Sequence, residues 1–412
     1  MIHKESRYTM NYTKQEVMQF VEEEDVKFIR LAFCDVFGKQ KNISIMPTEL
    51  NRAFEHGISI DAWSISGFDI HLHSDLFLHP DPSTLVILPW RPEHGRVVRM
   101  FCDITWPNGT IFECDTRQIL KKAIATAENK GYHFYFGSEM EFYLFNRDEL
   151  GNPTKIPYDQ ATYMDIAPDD RGENIRREIC LTLEQMGIYP ESSHHEEGPG
   201  QNEIDFRYSD PLKAADHAIT FTAVVRTIAN RNGIHADFGP KPLEHAPGNG
   251  MHINFSVKGN TDDDLLSSAI AGVLKHINDM TLFLNPLEES YKRLGNNKAP
   301  RYISWSTKNR SQLIRIPAAT DPYKRAELRS PDPTANPYLA YTLIIWAALD
   351  GIENHLELPP SADINLYITP PEITQKFKPL PESLTAAKNM ALASPFIQSI
   401  LPDPLIKAYC TC

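Results

Sequence analysis

Apolar residues recur along this chain with two periods, and the switch between them marks out the elements. Residues 14–24 carry a helical pattern that ends in the acidic run Glu22–Asp25. VKFIRLAFCDV (26–36) has strand composition, and FGKQ turns it into KNISI. PTELNRAFEHG places Pro47 at a helix start and Gly57 at its stop. TLVILPW (84–90) and VVRMFCDIT (97–105) read as further buried strands, so the first hundred residues form a small mixed α/β unit. PNGT (107–110) is a hairpin turn before a helix at about 115–130 with Asp115 as its cap. Long helices at about 171–187, 210–232, 262–284 and 334–351 then alternate with short strands. No repeat, low-complexity tract or Gly/Ser linker interrupts the chain. The boundary near residue 108 is therefore expected to be tightly packed.

The strands with polar faces carry the candidate chemistry. ESSHHEEGPGQNEIDFRY (191–208) reads as strand, Gly-Pro-Gly reversal and strand, crowding Glu191, His194, His195, Glu196, Glu197, Glu203 and Asp205 together. Glu203 and Asp205 share a face. Such crowding forces proton uptake unless a cation is present. Carboxylate oxygens with an occasional imidazole suit hard divalent metals such as Mg²⁺ or Mn²⁺. Read alone, the stretch fits a solvated acidic turn equally well. FGSEMEFYLF (136–145) puts Glu139 and Glu141 on one face of an apolar strand, with Met140 and Phe142 on the other. GNGMHINFSV (248–257) aligns His252, Asn254 and Ser256, and RAELRS (325–330) aligns Arg325, Glu327 and Arg329. An Arg-Glu-Arg alternation is either a surface ladder or a metal ligand between two phosphate-reading guanidiniums. Arg293, Arg310 and Arg315 add to the positive set. Together these faces describe a funnel with metals at one level and arginines around an anionic substrate, which is what phosphoryl transfer from a nucleotide requires. Neither GxxxxGK[ST] nor GxGxxG occurs, so no P-loop or Rossmann site is indicated.

Composition narrows the class. The 412 residues include 42% hydrophobic and 23% charged positions, ordinary for a globular protein, and 31 prolines favour loops over bundled helices. A formal net charge of -13 argues against non-specific nucleic-acid or anionic-membrane binding. Cys34, Cys102, Cys114, Cys180, Cys410 and Cys412 form no CxxC pair or zinc spacing, and the terminal Cys-Thr-Cys reads as an exposed tail. With no apolar signal region or long apolar run, a cytoplasmic location with reduced thiols is expected.

These motifs, with SDLFLHPDPSTLVILPW, GPKP, SYKRL, NRSQLIRIP, ELRSPDPTANPYLAY and INLY, occur in an order that resembles the glutamine synthetase family, type I, from about Val26 to Tyr367. The resemblance implies an α+β protein: an N-terminal β-grasp domain (14–107), then a catalytic domain (108–412) whose strands form a funnel-like partial antiparallel barrel flanked by helices. It implies ATP as co-substrate, two or three Mg²⁺ or Mn²⁺ per subunit, and attack by an amine or ammonia on a γ-glutamyl phosphate. Matched by motif, Glu141, Glu196 and Glu203 would hold the metal nearer glutamate, and Glu139, His252 and Glu327 the metal on the ATP phosphates. Gly248, Arg293 and Arg329 correspond to glutamate-binding positions, and Arg310, Arg315 and Arg325 would neutralise the transferring phosphoryl group. Glu191, Phe206, Arg207, Tyr208 and Ser256 fall on nucleotide-contacting positions. The family forms rings with active sites between subunits. Asp61 matches the aspartate that takes a proton from the incoming ammonium, and Ser64 follows at the family's spacing.

The departures cluster on the acceptor side. Trp63 stands where a small residue is expected, and Lys298 where a flap glutamate precedes Ala-Pro. A lysine there repels NH₄⁺. Pro247 replaces a glutamate-contacting asparagine, Asn254 replaces a histidine near the phosphates, and Asp237 and Gly239 alter the segment before PKP. Relatives usually continue beyond the position of Cys412 through a Lys/Glu-rich helical stretch, which puts the stacking of two rings in doubt. Tyr367 matches the tyrosine adenylylated in some type I enzymes. The sequence therefore points to an ATP-dependent ligase of L-glutamate, or a close analogue, with an amine acceptor other than plain ammonium. Two alternatives are a glutamine synthetase using ammonia and a non-catalytic nucleotide-binding homologue.

Overall fold

The computed structural model describes residues 12–68, 74–259, 264–296, 298–319 and 324–411. Cys412 and the first two residues of the helix expected at 262–284 lie outside them. Helix α1 (Lys14–Glu23) starts at a capping box in which Thr13 and Glu16 satisfy each other's backbone N–H groups. Strand β1 (Val26–Cys34) follows, then β2 (Gln40–Ile45), α2 (Leu50–His56), β3 (Ile58–Asp61), β4 (Asp75–Pro80), β5 (Val86–Ile87) and β6 (Arg96–Thr105). They form one sheet in the order β2-β1-β6-β4-β3, with β5 paired to β6 and only β1 and β6 parallel. Gly57 ends α2 at φ 74°, a conformation that favours glycine.

One strand expectation is corrected. Residues 84–90 contribute only the two-residue β5, both of whose side chains are half-buried. Asp81 caps a short turn at Pro82–Thr84 by accepting from Ser83 N, and Pro89 ends the ladder soon after. Apolar composition there serves packing against the core.

The second sheet is antiparallel except at one edge and carries the polar faces. It comprises β7 (His133–Arg147), β8 (Pro153–Pro157), β9 (Pro190–His195), β10 (Gln201–Phe206), β11 (Ile234–Asp237), β12 (Met251–Lys258), β13 (Trp305–Ser306), β14 (Ile314–Arg315) and β15 (Ala326–Leu328). Their order is β13-β14-β15-β12-β7-β10-β9, with β8 and β11 also on β7, and only β13 and β14 run parallel. Helices α3 (Thr116–Asn129), α4 (Glu173–Gln185), α5 (Pro211–Arg231), α6 (Leu265–Leu284), α7 (Glu288–Arg293) and α8 (Pro337–Glu353) surround this sheet. The back of β7 and its neighbours is apolar: Met140, Phe142, Ile204, Met251 and Ile253 are buried there. Helices α6 and α8 cross closely because glycines face each other, and a Cβ on Gly351 would run into the Ser268 carbonyl.

The two sheets are joined through a buried guanidinium. Arg117, at the start of α3, donates to Asp216 of α5 (3.0 and 3.1 Å) and to Asp103 (3.0 Å) and Asp81 (2.9 Å) of the N-terminal unit. Tyr338 of α8 donates to the same Asp216 at 2.6 Å. Removing one member of a buried ionic network strands the others. Arg117→Met is therefore expected to lower unfolding stability by about 3–5 kcal/mol in urea titration, and a loss below about 1 kcal/mol would contradict this role.

Candidate active site

Strand register, more than proximity in sequence, assembles the site. On β7, Glu139 and Glu141 face one side; β10 pairs alongside so that Glu203 lies opposite Glu141 and Asp205 opposite Glu139. On the other flank of β7, His252 of β12 lies opposite Glu139, and Glu327 of β15 lies opposite Asn254. His194 of β9 lies opposite Glu203. Like charges placed directly across a ladder repel. The arrangement therefore calls for a cation.

The donor atoms fall into overlapping groups, each within 4.8 Å: Glu139, His252 and Glu327; Glu141, Glu203 and His252; and His194, Glu196 and Glu203. Burial and the facing carboxylates of Glu141 and Asp205 hold the Glu203 carboxyl well above its ordinary range. Burial and Glu139 raise Asp205 to about 6. Burial would raise Glu139 too, but a hydrogen bond from His252 (3.4 Å) and one from Asn254 (2.8 Å) hold it down at about 2. These carboxyls belong to a set of oxygen and imidazole donors that fits divalent metals in chemistry and spacing. Metals bound there would polarise phosphoryl oxygens and neutralise developing charge.

These residues line a cavity of about 400 Å³ whose other wall is cationic: Arg293, Arg310, Arg315, Arg325 and Arg329, with Lys298 at the rim. Arg315 Nη1 donates to Glu327 Oε2 at 3.0 Å, and Arg329 holds the other Glu327 oxygen. The Arg-Glu-Arg alternation is an internal ladder, with Glu327 and Arg329 almost fully buried. Arg325 Nε donates to Asn254 Oδ1 at 2.8 Å, so Asn254 links the arginine to Glu139. Arg293 is anchored through Nη1 to Ser330 O and Nη2 to Arg329 O. Gly250 permits this approach, since a Cβ would lie 2.8 Å from both Arg293 Nη2 and His252 Nε2. Gly248 lines the cavity, while the neighbouring Pro247 carbonyl accepts from Tyr143 at 2.7 Å.

Several expected residues lie elsewhere. Ser256 lies opposite Tyr135 of β7, Arg207 and Tyr208 follow the end of β10 just before the Ser209–Phe136 bridge, and Glu191 precedes Ser192, which lies opposite Asp205; none of the four lines the carboxylate cavity. Phe206 packs its ring against Phe221, which leaves only its backbone for a ligand. Asp61, Trp63 and Ser64 sit on the exposed end of β3, outside the cavity of their own chain; Trp63 is 63% exposed. Asp61 accepts from Trp63 N and Ser64 Oγ. His195 turns away into a buried contact with Asp159 (2.8 Å) that steadies the Gly200 turn.

The site also takes in His194 and Glu197 of the acidic stretch, and two residues that the sequence did not single out, Gln201 and Tyr163. His194 contacts Glu196 at 3.1 Å. Gln201 donates from Nε2 to Glu141 and to the Gly248 carbonyl, both at 3.2 Å; its position two before Glu203 was the available signal. Tyr163 and Glu197 come from loops. Lys298, at φ 68°, places Nζ 2.6 Å from Glu197 and 5.1 Å from the centre of the Tyr163 ring.

Comparison with known proteins places this geometry. Residues 113–412 match the family model described as glutamine synthetase, catalytic domain, and residues 25–107 match glutamine synthetase, beta-Grasp domain. The chain is 44% identical over 413 residues to a glutamine synthetase of Clostridium saccharobutylicum, covering 97% of this chain and 93% of that protein. It is 45% identical over 370 residues to a glutamine synthetase of Staphylococcus aureus, covering 86% and 83%. A solved structure of a GmaS/ADP complex superposes with TM-score 0.87 at 28% identity, covering 98% of this chain and 94% of that one. Apo GmaS gives 0.86 at 29%, covering 96% and 94%.

Metal binding to the folded state alone is expected to raise the thermal midpoint. Saturating Mn²⁺ or Mg²⁺ at about a hundred times its dissociation constant adds about 2.7 kcal/mol, a shift of a few degrees that EDTA reverses. In Glu203→Ala that shift should be largely lost; an undiminished shift would place the metal elsewhere.

Proposed function

This chain belongs to the glutamine synthetase family and is an ATP-dependent ligase, and we propose that it joins L-glutamate, or a close analogue, to an amine other than plain ammonium. The γ-phosphoryl group of ATP passes to an oxygen of the acid's side-chain carboxylate, giving ADP and an acyl phosphate. The amine then attacks the carbonyl carbon, phosphate leaves, and the nitrogen loses a proton. Arg293, Arg329 and the Gly248 backbone are suited to hold the acid, and Arg310, Arg315 and Arg325 to stabilise the phosphoryl oxygens. Glu141, Glu196 and Glu203, with His194 beside them, would hold one metal; Glu139, His252 and Glu327 would hold the other.

The observation that carries the acceptor assignment is the Lys298 ammonium, held on Glu197 over the Tyr163 ring at the rim of the cavity. A carboxylate and an aromatic face are what a small cation seeks. Here a tethered cation already occupies them and repels NH₄⁺. An uncharged or acid-bearing amine is admitted on better terms. Asp61, Trp63 and Ser64 are exposed and outside their own chain's cavity, which supports the reading that they serve a neighbouring subunit of a ring with shared sites. The second reading, ammonia as acceptor, is favoured by the names of the relatives at 44% and 45% identity.

The test is phosphate release from Mg·ATP and L-glutamate with ammonium beside a panel of amines. One amine class is expected to exceed ammonium in kcat/KM, and Lys298→Glu should raise kcat/KM for ammonium about tenfold by removing the like charge. Efficient turnover with ammonium in the wild type, unchanged in the variant, would establish the second reading.

A further inference from the structure

The sheet that carries the carboxylates has a second cavity behind it, of about 1000 Å³, with the opposite electrostatics. The N-terminal sheet forms one wall, α5 the other, and Met140 and Met251 lie between them. Arg30, Lys39, Arg91, Arg99, Arg226 and Arg231 all line it, and no aspartate or glutamate does. In a chain of formal net charge -13, a cavity whose charged lining residues are all cations is no sample of the average surface. None of the six forms an ion pair with a described carboxylate. The acids whose fields reach Arg99 and Arg226 are committed elsewhere: Asp216 to Arg117 and Tyr338, and Asp237 to Lys155 and the Gly239 N–H.

Arg99 is the clearest case. It is 5% exposed, donates from Nη1 to Thr220 Oγ1 at 3.1 Å, and lies 4.0 Å from the centre of the Phe101 ring. Its Nε has no partner. A buried guanidinium without a counter-ion is unfavourable unless something supplies the charge. Burial, and then the charge of Arg91, also lower the pKa of Arg30. Cations thus converge from both walls on a space with no anion of its own.

We propose that this cavity binds a small polyanion bearing two or more phosphate or carboxylate groups, held between the arginines of the N-terminal sheet and those of α5. Guanidinium forks receive either oxyanion through paired N–H donors. The occupant would bridge the two walls and rest against Met140 and Met251, whose neighbours Glu139, Glu141 and His252 point into the carboxylate cavity. The inference stands apart from the acceptor assignment.

The experiment is calorimetric titration of the full-length protein, in EDTA, with pyrophosphate and separately with citrate. The proteins compared are wild type, Arg226→Gln/Arg231→Gln and Arg315→Gln. Wild type and Arg315→Gln should bind at least one of the two anions alike, and the double variant about tenfold or more weakly. Binding of pyrophosphate alone identifies a phosphate site and of citrate alone a carboxylate site. An unchanged thermal midpoint shows that the exposed α5 substitutions leave the fold intact, and anion-dependent shifts of that midpoint provide a second readout. Absence of binding by both anions, as expected of a docking face for an acidic protein surface, overturns the proposal. So does weakening in Arg315→Gln in place of the double variant, which would assign the anion to the other cavity.

Discussion

Carboxylates standing directly opposite one another across β7 and β10 are the constraint on which this molecule turns. Glu203 against Glu141 and Asp205 against Glu139 are pairings that a ladder ordinarily avoids. They persist because the opposite faces of the same strands bury Met140, Phe142, Ile204 and Met251, so slipping by one residue would expose the core and hide the charge. Hydrophobic packing on one side thus enforces electrostatic crowding on the other. Divalent cations bound there would relieve that crowding, and the arginines across the cavity supply a field suited to an anionic substrate.

The same logic explains why Glu327 lies between two guanidiniums. Its carboxylate is held by Arg315 and Arg329. Prepositioned in this way, Glu327 would need little reorganisation to serve as a metal ligand. The Arg117 network plays the corresponding structural part between the sheets, where Asp81, Asp103 and Asp216 all pair with Arg117.

Period-two alternation made most of this site legible in the sequence, because strand faces are a local property: Glu139 with Glu141, Glu203 with Asp205, and Arg325 with Arg329 line one cavity, and Glu327 is buried against Arg315 and Arg329 of its wall. Gln201 was legible by the same rule and went unread. Residues 84–90 misled, since Val-Ile-Leu composition reports burial while Pro82 and Pro89 decide how much ladder can form. Tyr163, Glu197 and Lys298 meet from three separate loops, and no local period relates them. The same holds for the six cations behind the sheet, which converge only when α5 packs against the N-terminal strands. Local pattern discloses faces; meetings between distant loops need the fold.

The central claim is that the paired cavity of carboxylates and arginines activates an acid by phosphorylating its side chain. The most direct measurement uses L-glutamate labelled with ¹⁸O in the γ-carboxylate, turned over with Mg·ATP and an accepted amine or ammonium. An acyl phosphate intermediate transfers one labelled oxygen to each phosphate released, visible by mass spectrometry. Phosphate that carries no label under the same turnover would contradict the account.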